Sequence, residues 1–146
     1  MSAKLMIARP EDAERLLRLV AACHAETGIE MDEGDRAAAV QELLSGTVQG
    51  VVYLIGPPSS PVGYASISFG YAISLGGIEG HIDEIYVRPQ VRRRGMASEA
   101  LAALAKALPA HGVRALRVGC DADDRLFTRR LRFSPAPRGR SLIRRL

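Results

Sequence analysis

Val87-Arg-Pro89-Gln-Val-Arg92-Arg93-Arg94-Gly95-Met96-Ala97-Ser98 decides how this chain is read. Before it, Ile82, Ile85, Tyr86 and Val87 form a β-branched, apolar run ending at Pro89. After it, Ala97, Leu101, Leu104 and Leu108 recur at helical spacing. A strand therefore enters a helix through a basic turn that contains glycine. Such a turn gathers unpaired backbone N–H groups, the positive end of a helix dipole and cationic side chains, a combination that favours a bound phosphate.

The 146 residues suffice for one domain spanning 1–146 with a core of its own. No apolar run approaches the roughly 18 residues of a membrane span, and Met1 to Arg9 reads as too short and too interrupted for a signal peptide. Cys23 and Cys120 are far apart and belong to no ligand-like cluster, so neither a disulfide framework nor a metal site is expected. A reducing cytoplasm suits this composition. The net charge of +4 conceals an asymmetry. Residues 1–86 hold 5 basic and 12 acidic side chains, net −7, whereas residues 87–146 hold 15 and 4, net +11. Two readings stand: an unevenly charged solvated surface, or separate sites for a cation and an anion.

Outward from the turn, the pattern predicts a strand over Lys4 to Ala8 and a helix opened by Pro10 that runs to about Thr27, with Gly28 as its stop. Cys23 and His24 read as packing or helix-end residues. An acidic connector holding Glu26, Glu30, Asp32, Glu33 and Asp35 leads to a second helix, about Arg36 to Ser45. Val51 to Ile55 reads as a buried strand, and Ala65 to Ile73 alternates with period two. Gly76-Gly77 then turns the chain into Ile78 to Val87 as an antiparallel partner. Ala115 to Cys120 is expected to lie parallel to that strand, because a helix intervenes. A short helix from Asp121 to about Leu131 and a terminal strand at Leu142 and Ile143 complete the pattern.

Within Ile78 to Val87, Ile82 has the opposite parity to Ile85 and Val87, and Asp83-Glu84 lies between them. Either one extra residue forms a β-bulge, or Ile82 faces a different apolar layer.

The element order β-α-α-β-β-β-α-β-α-β, with Val87-x-Pro89-x-x-Arg92-x-x-Gly95-x-Ala97 between the fourth strand and third helix, resembles the GNAT superfamily of acetyl-CoA-dependent N-acetyltransferases over nearly the whole chain. The resemblance implies an α/β (α+β) fold: a mixed, centrally splayed sheet of about 6–7 strands flanked by about 4 helices. It implies that backbone amides across Arg92, Arg93, Arg94, Gly95, Met96, Ala97 and Ser98 bind the CoA pyrophosphate. It also implies that pantetheine pairs with exposed backbone of Ile85, Tyr86 and Val87, where an N–H near Tyr86 or Val87 polarises the acetyl carbonyl. No metal is called for.

An amine is mostly protonated at neutral pH, so acetyl transfer needs a base. Glu84 and Asp83 are the catalytic candidates, Glu84 ahead of Asp83, with His81 a weaker one; both acids being structural remains the alternative. The resemblance also places the connector beside the acceptor, which implies that Glu26, Glu30, Asp32 and Glu33 form a substrate rim suited to a cationic amine, unless they are simply a solvated loop. The tyrosine that often protonates departing CoA in this family is replaced by Thr128, and Asp121, Arg132 and Phe133 fill the neighbouring motif positions. The expected partners are acetyl-CoA and an amine, with no membrane. The basic C-terminal half leaves three other uses for its arginines: nucleic acid, the CoA 3′-phosphate, or a second copy in a homodimer. Against nucleic acid, this half holds only Phe127 and Phe133 as aromatics and no recognisable binding motif. A regulatory CoA-binding protein of the same fold is a further alternative.

Overall fold

The computed structural model describes residues 4–119, 131–134, 136 and 142–146. Strands β1 (Leu5–Ile7), β2 (Gly50–Ile55), β3 (Gly63–Ala72), β4 (Gly77–Val87) and β5 (Val113–Val118) form one sheet in sequence order. The first four are antiparallel. Helix α3 (Met96–Ala107) carries the chain back along the sheet, so β5 pairs parallel to β4.

Helices α1 (Ala13–Thr27) and α2 (Glu33–Leu44) cover one face of the sheet, and α3 covers the other. Period-two alternation along the strands feeds both layers. Leu54, Tyr64 and Tyr86 join Leu16, Leu19 and Val40 beneath α1 and α2. Ile55, Ala65, Ile67, Ile82 and Val87 pack with Met96, Leu101 and Leu104 of α3.

The bulge exists. Ala65 pairs with Ile85, Ser66 with Glu84, and Ile67 with Ile82, leaving Asp83 as the extra residue. Its insertion lets Ile82, Ile85 and Val87 all pack toward α3 despite their mismatched parity.

Helix α2 begins at Glu33, three residues before the expected start, because the Asp32 carboxylate caps it by accepting the amides of Gly34 (2.9 Å) and Asp35 (3.2 Å). Among the described residues there are five strands and three α-helices, against the expected six to seven and four. The expected helix over Asp121 to Leu131 lies almost wholly outside the described residues. Leu142 and Ile143 form no strand; they are 98% and 84% exposed, and no described strand lies against them. No helix among the described residues is long and apolar enough to cross a membrane.

Gly63 sets how closely β3 approaches the end of β4: a Cβ there would stand 2.1 Å from the Tyr86 carbonyl oxygen. Gly63→Ala is expected to destabilise the protein by about 1–3 kcal/mol in urea unfolding. Wild-type stability in that variant would contradict this close pairing.

Candidate active site

The parallel pairing of β5 with β4 extends only from Ile78 to Ile82. Beyond it, β4 continues through the bulge to Val87 with β3 on one side and no described strand on the other. The Arg88 amide donates to the Val62 carbonyl (2.8 Å), and the Glu84 amide donates to Ser66 Oγ (3.1 Å). By strand alternation, the Tyr86 amide also points toward β3, while those of Ile85 and Val87 point into the gap left by β5. The Tyr86 amide is therefore turned away from that gap.

The turn after β4 is built for exposed amides. A 3-10 turn over Pro89–Val91 is followed by left-handed residues at Arg93 (φ 64°) and Gly95 (φ 77°). Helix α3 has no side-chain cap, and its first hydrogen bond runs from the Glu99 amide to the Gly95 carbonyl (2.9 Å). The amides of Met96, Ala97 and Ser98 consequently have no intrahelical partner. Arg93, Arg94, Gly95 and Ser98 border a cavity of about 620 Å³ at this helix end. A Cβ on Gly95 would meet no described atom within 4 Å. The side chain of Met96 is buried beneath α3, so Met96 can contribute only its backbone.

Arg92 behaves differently from its neighbours. Its amide donates to the Pro89 carbonyl (3.3 Å) and its Nε to the Val87 carbonyl (2.7 Å). Its two terminal nitrogens donate to the Glu26 carboxylate at 2.6 and 2.5 Å, and the guanidinium lies 5.4 Å from the Tyr86 ring centroid. These bonds hold the Glu26 carboxyl below the usual carboxylate range and raise Arg92. Arg92 thus ties the end of α1 to the end of β4.

A second cavity, about 260 Å³, lies between these elements, bounded by Cys23, Glu26 and Thr27 of α1, Ile85 to Val87 of β4, Arg92, and Ala97 of α3. Beside Cys23 and Tyr86 runs a polar chain that crosses from α2 to the sheet. Glu84 Oε1 accepts the Tyr64 hydroxyl (2.7 Å), and Glu84 Oε2 lies 2.8 Å from His24 Nε2. Arg36 Nε donates to His24 Nδ1 (3.1 Å). Burial raises both the Tyr64 phenol and the Cys23 thiol, so each stays protonated and Tyr64 donates to Glu84.

The structure thus gathers Glu26, Ile85, Tyr86, Val87, Arg92 and Ala97 around one cavity, with Arg93, Arg94, Gly95 and Ser98 at the adjoining helix end. Glu84 is only partly exposed, whereas Asp83 is exposed at the bulge. His81 pairs in register with Ser68 and Arg117, on the far side of the bulge from Glu84. Asp32 is engaged as a helix cap, and Glu30 and Glu33 are exposed. Thr128 lies outside the described residues. Sequence reasoning missed Tyr64 and Arg36, and it assigned His24 to packing. His24 is indeed buried, but its ring also bonds Glu84.

The Acetyltransferase (GNAT) family profile matches residues 15–145. No curated protein matches the chain. Among solved structures, the integron cassette protein HFX_CASS3 from the mobile metagenome of Cole Harbour Salt Marsh is 27% identical, with a TM-score of 0.80 over 97% of this chain and 91% of that one. A protein of Arthrobacter sp. FB24, provisionally described as an acetyltransferase, is 28% identical, with a TM-score of 0.78 over 98% and 96%. A Clostridium acetobutylicum protein solved with acetyl-CoA shares the fold at 15% identity and a TM-score of 0.75, over 97% and 96%. With the family profile spanning almost the whole chain and the sheet, bulge and uncapped helix in place, this protein belongs to the GNAT family of acetyltransferases.

Proposed function

We propose that the protein transfers acetyl from acetyl-CoA to a primary amine, a cationic small molecule or a lysine side chain, by direct attack within a ternary complex. The observation that carries this reading is the position of Glu84, held by Tyr64 and His24, whose chain neighbours Ile85 and Cys23 line a cavity walled by the edge of β4 that no described strand covers and by the start of α3. The uncapped amides of Met96 to Ser98, the left-handed turn at Arg93 and Gly95, and the exposed Arg93 and Arg94 side chains suit a pyrophosphate. Acetyl-CoA supplies an acyl group activated as a thioester.

The protein's own residues divide the remaining work. The Ile85 and Val87 amides, turned into the gap, donate to a carbonyl oxygen on which negative charge develops. Glu84 takes a proton from the ammonium group. Each carboxylate oxygen has two lone pairs, so Glu84 can accept that proton while keeping its bonds to Tyr64 and His24. Asp83, exposed at the bulge, is the weaker base candidate. Protonation of the departing thiolate falls to water. The exposed carboxylates of Glu30 and Glu33 draw cationic acceptors over long range, whereas Glu26 is neutralised by Arg92 and Asp32 is spent on capping.

A panel of polyamines, aminoglycosides, lysine peptides and free amino acids, scored by acetyl-CoA-dependent thiol release, tests the reading. Release is expected with the cationic amines, at rates that fall as salt rises. Tight CoA binding with no release for any amine would contradict transfer and favour a regulatory role.

Glu84→Gln is expected to slow turnover at least about tenfold, whereas Asp83→Asn leaves it near the wild-type rate. If both variants matched the wild type, Glu84 would not be the base.

A further inference from the structure

We infer that His24 and Arg36 are positioning residues that fix the orientation of Glu84 and link it to the acceptor-side connector, an inference that rests on Glu84 serving as the base. Glu84 and His24 are 60 positions apart in sequence, yet His24 Nε2 and Glu84 Oε2 are 2.8 Å apart. The His24 side chain is 7% exposed, so water cannot readily replace this contact.

The bonding pattern fixes which nitrogen of the ring carries the proton. Arg36 Nε can only donate, so at 3.1 Å it requires a lone pair on His24 Nδ1. The ring proton is then on Nε2 and is donated to Glu84. Tyr64 donates to the other oxygen (2.7 Å), and the two donors together hold both oxygens of the carboxylate in place.

This arrangement also defines what His24 does not do. A proton that Glu84 accepts cannot travel onward through the imidazole, because Nε2 already carries hydrogen and Nδ1 is held by a guanidinium that does not give its proton up. His24 orients the base rather than relaying from it. The proton leaves Glu84 by another route, to solvent at the partly exposed carboxylate.

Arg36 extends the chain to the connector. Its Nη2 donates to the Met31 carbonyl (3.2 Å), one residue before Asp32, while its Nε holds His24. Asp32 caps the helix on which Arg36 sits, and the Arg36 amide donates to the Asp32 carbonyl (2.9 Å). The loop expected to border the amine is thereby coupled through one guanidinium to the orientation of the base. Movement of the connector on acceptor binding would reach Glu84 through three hydrogen bonds: Met31 to Arg36, Arg36 to His24 and His24 to Glu84.

The test compares His24→Leu, His24→Gln, Arg36→Met and Glu84→Gln with the wild-type protein, using acetyl-CoA and the amine from the panel that gives the fastest thiol release. Leucine fills space without a donor, whereas the glutamine amide can replace the Nε2–H donor. His24→Leu is expected to lower kcat at least about tenfold, the scale of a misplaced reacting group, with KM for acetyl-CoA unchanged, and His24→Gln is expected to recover most of the loss. Nitrogen NMR of the imidazole, which needs no acceptor, is expected to show hydrogen on Nε2 and none on Nδ1 in the wild type, and in Arg36→Met a shift of the Nδ1 resonance as its hydrogen bond is lost while Glu84 keeps the hydrogen on Nε2. If His24→Leu failed to fold, the glutamine variant and the tautomer measurement would still decide the matter. Wild-type turnover in His24→Leu alongside a slow Glu84→Gln would overturn the positioning role and leave the base intact. Wild-type turnover in Glu84→Gln would overturn the base assignment and this inference with it, as would hydrogen on Nδ1 in the wild type.

Discussion

One extra residue in one strand governs the geometry of this protein. Asp83 has no partner on β3, and its insertion changes which residues of β4 face each layer. Before it, Ile78 and Ile82 pack toward α3; after it, Ile85 and Val87 do so, leaving Glu84 and Tyr86 to face α1. Without the bulge, strand alternation would place Glu84 and Tyr86 toward α3 if Ile82 kept its place. A carboxylate would then enter an apolar layer with neither Tyr64 nor His24 to bond it.

The open edge begins at the same irregularity. β5 follows β4 in parallel as far as Ile82, so among the described residues the strand's last residues have a ladder on only one side. A backbone edge with unpaired amides is ordinarily a hazard in a sheet, because it invites pairing with another chain. Here it adjoins a helix that lacks a side-chain cap and a turn with two left-handed residues. Three sources of exposed N–H groups converge, and the Arg92–Glu26 pair fixes the end of α1 beside them. Arg92 shows how a motif residue can serve the site indirectly: its charge is spent on Glu26, and its contribution is the fixed distance between α1 and the end of β4.

Much of this was legible in the sequence, for reasons of local physics. The parity mismatch of Ile82 against Ile85 and Val87 announced the bulge as one of two solutions, because alternation is a strict rule in a half-buried strand. Gly95 after three arginines, followed by apolar residues at helical spacing, announced the amide-rich turn. The start of α2 was misplaced because Asp32 read as one acid in an acidic connector; its spacing from the apolar residues of the helix did not single it out as the cap. The network around Glu84 was not legible. His24, Tyr64 and Arg36 lie on α1, β3 and α2, and no spacing in the sequence expresses a contact that spans three elements across the sheet. A histidine on the buried face of a helix looks the same whether it only packs or also holds a carboxylate.

The most direct measurement is amide hydrogen exchange along β4 with and without acetyl-CoA. If the gap beside β4 receives the cofactor, exchange at Ile85 and Val87 should slow on binding, while Tyr86, whose amide already points toward β3, should change little. Slowing confined to other parts of the chain, with Ile85 and Val87 unaffected at saturating acetyl-CoA, would contradict the account.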